Sequence, residues 1–228
     1  YVPDDNFEQA LIDLGYDDVM DDYVLTANIS GVNELTLNSI PISDLTGIEG
    51  FVTLDSLFLG GLNIESLDLT SNTSIVYLKT MICQQMSSVN ITGLTLLDNL
   101  TFVGATALAS LDVSSNTALT TLGAYGIGSY DGILTTLDVS ANTALTKLYL
   151  NGNALATLDV SANTALTNLW CHDNNLTALD VSANTALTVL VSRNNAITNL
   201  DVSANTALTS LYCQDNQLTS LNMKNGVT

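Results

Sequence analysis

The sequence predicts a mainly β solenoid with two short parallel strands in each coil and a helical cap at its amino-terminal end. Three observations carry that prediction: a 21-residue phrase that recurs almost verbatim, a shorter LxxLxLxxN rhythm nested inside it, and an amphipathic segment ahead of the first coil. Repetition at a short fixed period marks a stack of equivalent units, not a globule built around one pocket.

The phrase LDVSANTALT stands at 137–146, 158–167, 179–188 and 200–209. Traced in both directions, its aspartate position gives Asp44, Asp68, Asn90, Asp112, Asp138, Asp159, Asp180, Asp201 and Asn222, at intervals of 24, 22, 22, 26 and then four of 21 residues. About nine degenerate coils therefore occupy 31–228. Leu145, Leu148, Leu150 and Asn153 are followed by Leu155, Leu158, Val160 and Asn163, so each coil is two half-turns of ten and eleven residues. Alternation at the LxL core sends two aliphatic side chains to one face of a short strand. Coils stacked roughly 4.8 Å apart would pair each strand with its copies above and below, giving two parallel sheets around one aliphatic core.

The asparagines account for the turns, because a side-chain amide can satisfy backbone groups that a tight inward corner leaves unpaired. Asn153, Asn174, Asn195 and Asn216 form one ladder, and Asn142, Asn163, Asn184 and Asn205 form the other.

Residues 1–30 read as the cap. Phe7, Ala10, Leu11 and Leu14 fall at i, i+3, i+4 and i+7, Asp4 or Asp5 follows Pro3 as the helix N-cap, and Gly15 stands where the helix should end. No comparable segment follows LNMKNGVT, so the expectation is that the chain continues or that its last coil self-associates with a neighbour.

LxxLxLxxN with interior asparagines resembles the bacterial leucine-rich repeat. The ten-plus-eleven nesting, with Cys in LWC and LYC, is similar to the class called IRREKO, and the resemblance covers about 200 of 228 residues. Residues 1–60, from VPDDNFEQALIDLGYDDVMDDYVLTANISG to ISDLTGIEGFVTL, resemble the amino-terminal part of secreted or surface leucine-rich-repeat proteins of marine and gut bacteria, with an internalin-like layout. That resemblance implies recognition or adhesion outside the cell.

Composition points the same way. A formal charge of −19 with only four basic residues repels phosphate backbones and anionic membranes, which excludes nucleic acid as a partner. The apolar runs are too short for membrane insertion, and any secretion signal is expected to have been removed. Cys171 and Cys213 share an interior column two coils apart, roughly 10 Å by the strand spacing, beyond disulfide reach. All three cysteines, Cys83 included, are expected as small buried hydrophobes.

Function must then sit on the outer surfaces. On the first strand ladder the central outward column is Tyr149, Trp170, Val191 and Tyr212, with Lys147 and Asn168 on one side and His172, Arg193 and Gln214 on the other. Aromatic and arginine side chains offer large contact areas with polar tips, so this face is expected to bind an extracellular protein or glycan. Simple cross-strand packing of the aromatics is the plainer reading of the same column. An insertion at 123–133, rich in glycine, adds Tyr125 and Tyr130, as a functional loop or a tolerated one.

The second ladder carries Asp138, Asp159, Asp180 and Asp201 in register, and their mutual repulsion calls for hydration, raised pKa values or a bound cation. Calcium at this ladder, or at Asp17, Asp18, Asp21 and Asp22, is the alternative in which the protein is a calcium-stabilised surface structure. Threonines 146, 167, 188 and 209 raise ice binding as another, although each rank is single. No catalytic residues are expected. The aspartate spacing comes near that of a retaining glycosidase pair, but a repeated smooth face has no cleft to set one acid apart.

Overall fold

The computed structural model describes residues 1–126 and 132–224. Two helices, α1 (Asp5–Asp13) and α2 (Thr26–Ile29), precede the strands. In chain order these are β1 (Glu34–Asn38), β2 (Ser56–Gly60), β3 (Ser66–Asp68), β4 (Tyr77–Met81), β5 (Ser88–Asn90), β6 (Asn99–Val103), β7 (Thr121–Tyr125), β8 (Lys147–Tyr149), β9 (Asn168–Trp170), β10 (Val189–Val191), β11 (Asn199–Asp201), β12 (Ser210–Tyr212) and β13 (Ser220–Asn222). Nine of them form one parallel sheet in the order β1-β2-β4-β6-β7-β8-β9-β10-β12. Its spine is a leucine ladder, Leu57, Leu78, Leu100, Leu122, Leu148, Leu169 and Leu190, each fully buried and each the register partner of the next. The protein is thus a parallel β-solenoid, as the repeat predicts.

The second face departs from two strands in every coil. Among the described residues it is strand-paired at only two places, β3 with β5 and β11 with β13. Both unite an aspartate with an asparagine, Asp68 with Asn90 and Asp201 with Asn222, and in both the asparagine Nδ2 donates to the aspartate Oδ2. None of the Asp-to-Asp steps from Asp112 to Asp201 is paired. Like charges directly opposite one another destabilise a ladder, whereas an amide facing a carboxylate bridges it. The step from Asn90 to Asp112 is mixed and unpaired, so removing the repulsion permits pairing without enforcing it.

Asp159→Asn converts two Asp–Asp steps into mixed ones at once. The expected result is a melting point higher by on the order of 2 °C, with new amide-exchange protection at 137–139 and 158–160. Unchanged exchange there would show that charge is not what holds the strands apart.

The carboxylates themselves are held by their own turns. Asp138, Asp159, Asp180 and Asp201 each accept the backbone N–H of the serine two residues on. Hydrogen bonding from those serines holds all four pKa values below the ordinary carboxylate range, so raised pKa values do not relieve the repulsion. The threonine ranks bond along the stack: the hydroxyls of Thr167, Thr188 and Thr209 each donate to the carbonyl of the threonine one coil below.

The cap is fastened by side chains that hydropathy alone does not rank. Asp4 is the N-cap of α1, its Oδ1 accepting the N–H groups of Asn6 and Phe7, while its Oδ2 accepts the N–H and hydroxyl of Ser43 and the N–H of Asp44. The helix ends in a Schellman motif, with Gly15 at φ 78°, Gly15 N–H donating to Ile12 and Tyr16 N–H to Leu11. Phe7, Ala10 and Leu11 are buried, but Leu14 is 46% exposed, because it is the C-cap residue where the chain turns off the core. Glu8 is buried instead, and its Oε1 takes the N–H groups of Asp21 and Tyr23. That bond and the Asp17 acceptance of the Asp18 N–H order the acidic segment. Among the described residues no three or more His, Cys, Asp or Glu side chains are arranged to hold a metal.

Inside, Leu150, Cys171, Ser192 and Cys213 occupy one column. Cys83 and Cys171 are buried, and burial pushes the Cys171 thiol up to about 12. Cys213 is only half-buried, which corrects the expectation of three interior thiols. It lies in the last described coil, where Leu208, Leu211 and Leu218 are also partly uncovered.

Candidate functional site

The strand alternation fixes which side chains can meet a ligand. Trp170 stands 40% exposed on the outer face while its neighbours Leu169 and Cys171 are fully buried. Register partners place Gly123, Tyr149, Trp170, Val191 and Tyr212 in one column across β7, β8, β9, β10 and β12. Gly123 has a packing reason: a Cβ there would come within 3.0 Å of the Tyr125 ring, so the missing side chain lets Tyr125 lie across the column. The rings then run in contact, Tyr125 to Tyr149 at 6.5 Å edge-on, Tyr149 to Trp170 at 5.1 Å, and Trp170 to His172 at 6.4 Å. Burial raises the phenol pKa values of both Tyr125 and Tyr149.

Val191 is only 9% exposed, in contrast with the expected outward contact. A short β-branched side chain set between two large aromatic register partners, Trp170 and Tyr212, is overshadowed by them. Tyr212, two coils beyond Trp170, is 51% exposed. Lys147 and Asn168 line the other edge, where Thr167 donates to the Asn168 side-chain carbonyl. Gln214 is exposed beyond Tyr212. Tyr130 lies outside the described residues, as does 127–131 of the insertion; the return segment is tied down by Gly132 N–H to the Gly152 carbonyl.

Beside the aromatic column runs a corner at which the backbone turns left-handed. Its residues are Ser39, Gly61, Ile82 and Gly104 in the early coils and Gly152, Asp173, Asn194 and Asp215 in the later ones. Glycine fits this conformation without strain and Asn or Asp tolerates it, while a β-branched residue such as Ile82 is strained. Asp173 is the hub of the corner. It accepts from the Asn194 amide, meets His172 Nδ1, and lies 3.7 Å from the Arg193 guanidinium. Burial alone would raise the Asp173 pKa, but the bonds from Asn194 and His172 and the nearby Arg193 charge outweigh it and lower the value.

Sequence reading brings out His172 and Arg193 and places Gly152, Asp173, Asn194 and Asp215 in the turn that extends the same face, but it does not show that Asp173 and Asn194 position the other two. The available signal was a polar residue at a corner that other coils fill with glycine.

Surface depressions also lie away from this face, in grooves of about 350 Å³ beside Asp138 and Asp159 and about 600 Å³ beside Asp180 and Asp201. They are open gaps between neighbouring coils of the aspartate face, lined largely by Asp and Ser side chains, and not the enclosed, mostly apolar hollow of a small-molecule pocket. No helix among the described residues is long and apolar enough to cross a membrane.

No protein-family model and no curated protein matches the sequence. Solved structures do match. The functional domain of InlJ from Listeria monocytogenes, described as including a cysteine ladder, is 26% identical, with a TM-score of 0.52, over 97% of this chain and 59% of that one. A leucine-rich-repeat protein from Leptospira interrogans is 18% identical, with a TM-score of 0.59, over 87% of this chain and 59% of that one. Internalin C2 from Listeria monocytogenes is 18% identical, with a TM-score of 0.61, over 96% of this chain and 87% of that one. The chain thus spans 59% of the length of the first two proteins it matches. Its fold is the leucine-rich-repeat solenoid, similar to that of the internalins.

Proposed function

We propose that this protein is a non-enzymatic recognition module that works outside the cell, binding a protein or glycan partner through the outer face of its nine-stranded sheet. One observation carries the reading: Tyr125, Tyr149, Trp170 and His172 form a continuous exposed-to-half-buried strip, flanked by Arg193 and an oriented row of polar corner side chains. Single exposed aromatics are ordinary, whereas a contiguous patch marks an interaction site. Charge supports the same face. Three of the four basic residues, Lys79, Lys147 and Arg193, lie on it in a chain of net charge −19, while the opposite face carries the aspartate ladder. The likeness to the InlJ domain and to internalin C2 supports a recognition role as analogy.

The test is binding to an array of glycans and to extracellular proteins, before and after Trp170→Ala combined with Tyr212→Ala. Hot-spot aromatics contribute about 2 kcal/mol or more each, so the double variant should lose binding while keeping its melting point. Binding that survives both substitutions would move the site off this face.

A further inference from the structure

We propose that the ligand is a neutral glycan chain laid along the solenoid axis, with one sugar ring stacked on Trp170 and its hydroxyls held by Asp173 and Asn194. This deepens the recognition reading and rests on it.

Two features lie side by side in the later coils, and they meet in the coils of Trp170 with Asp173 and of Tyr212 with Asp215. The central column becomes aromatic at Tyr149, Trp170 and Tyr212, and the left-handed corner beside it changes from Gly152 to Asp173, Asn194 and Asp215. Asp and Asn tolerate the positive φ that glycine fits best, and Asp173 and Asp215 are exposed, so the corner presents polar groups to solvent beside the column. They stand where a molecule lying on the aromatic column would meet them. Asp173 and Asn194 are bonded to each other and braced by His172 and Arg193, so their planar polar groups are oriented in advance.

The chemistry selects a sugar. The C–H face of a pyranose ring is apolar and faintly positive, which suits the electron-rich face of an exposed indole. Its hydroxyls are paired donors and acceptors, matched by a carboxylate and an amide side by side. A protein partner needs roughly 800 Å² of complementary surface with a dry apolar centre, and here the central Val191 is already covered. Neutrality follows from the rim, where Asp173 and Asp215 offset Arg193 and Lys147 within an acidic protein. Both columns run perpendicular to the strands, so the chain follows the axis. Three coil steps from Tyr149 to Tyr212 span roughly 14 Å, room for a short run of sugar rings.

Trp170 is the only tryptophan, so its fluorescence reports the contact directly. Neutral β-linked glucan, mannan and chitin oligosaccharides of increasing length should shift that emission saturably, with affinity rising until the chain spans the aromatic coils and then levelling. Asp173→Gly and Asn194→Gly suit the left-handed corner and should fold normally, yet each should weaken binding about tenfold. If no neutral oligosaccharide binds but capture of a protein partner depends on Trp170, the glycan assignment falls and the recognition face stands. Oligosaccharide binding that calorimetry still detects in Trp170→Ala overturns both. A preference for acidic sugars, or full affinity in both glycine variants, overturns the neutral ligand or the polar corner's role in holding it.

Discussion

Asp4→Ala is expected to destabilise the protein by about 2–4 kcal/mol, the sum of a lost N-cap and of stranded backbone donors in the first coil. The Asp4 side chain has one oxygen on the start of α1 and the other on Ser43 and Asp44, so a single residue fastens the cap to the stack. Val2, Phe7 and Leu11 of the cap and Phe51 of the first coils are all fully buried, and a solenoid end stripped of its cover exposes that core to water. The first amides to lose exchange protection should be those of β1. Asp4→Asn keeps one acceptor and should lose less than Asp4→Ala, whereas no loss in Asp4→Asn would mean that only helix capping matters.

Acid should act through the same residue. Burial alone would raise the Asp4 pKa, but hydrogen bonds from Ser43, Phe7 and Asp44 outweigh it and hold the value below 3.8. The folded chain therefore binds fewer protons than the unfolded one in mild acid. Its stabilising effect is complete above about pH 4 and disappears as the pH falls through the depressed value. Denaturant titrations should accordingly give wild type and Asp4→Ala their full difference at neutral pH and a shrinking difference as the pH falls through the depressed value.

How much of this was legible in the residues depends on which physical rule governs each element. The alternation that sends Leu169 and Cys171 inward and Trp170 outward is a period-two pattern repeated nine times, so it could be read directly. The leucine spine and Asn ladders follow from the same repeat. Legibility ended where identical positions have unlike neighbours. Val191 occupies an outward position and is nonetheless covered, because cover depends on the size of its register partners. The second strand ladder was expected in every coil, since hydropathy marks Leu158 and Val160 as it does Leu148 and Leu150. Like charge facing each residue one coil away opposes pairing there, as Asp68 with Asn90 shows against Asp138 with Asp159, although the mixed step from Asn90 to Asp112 stays unpaired as well. The burial of Glu8 and the bracing role of Asp173 were not legible for a related reason: both are carboxylates that act through backbone or side-chain donors brought near by the fold.

The two asparagine ladders look alike in sequence, yet their amides do unequal work, and substitution should separate them. In one ladder Asn174 donates to the carbonyls of Leu150, Cys171 and His172, and its Oδ1 accepts the Leu155 N–H. In the other, Asn184 donates to Val160 and Asn163, but its Oδ1 is buried without a partner, as are those of Asn142, Asn163 and Asn205. Removing Asn174 strands a buried donor as well as acceptors, whereas removing Asn184 strands acceptors and relieves one orphaned oxygen. Asn174→Ala should therefore cost about 2–4 kcal/mol and Asn184→Ala about 1–2 kcal/mol. Only the first should reach the outer face. The Asn174 amide holds the His172 carbonyl just ahead of the left-handed Asp173, so its loss frees the corner that positions His172 against Trp170. Asn174→Ala is thus expected to shift the Trp170 emission at temperatures well below melting, with Asn184→Ala leaving it unchanged. Equal emission spectra for the two variants would show that the corner is held by the strand ladder alone, and that the amide serves stability without reaching the site.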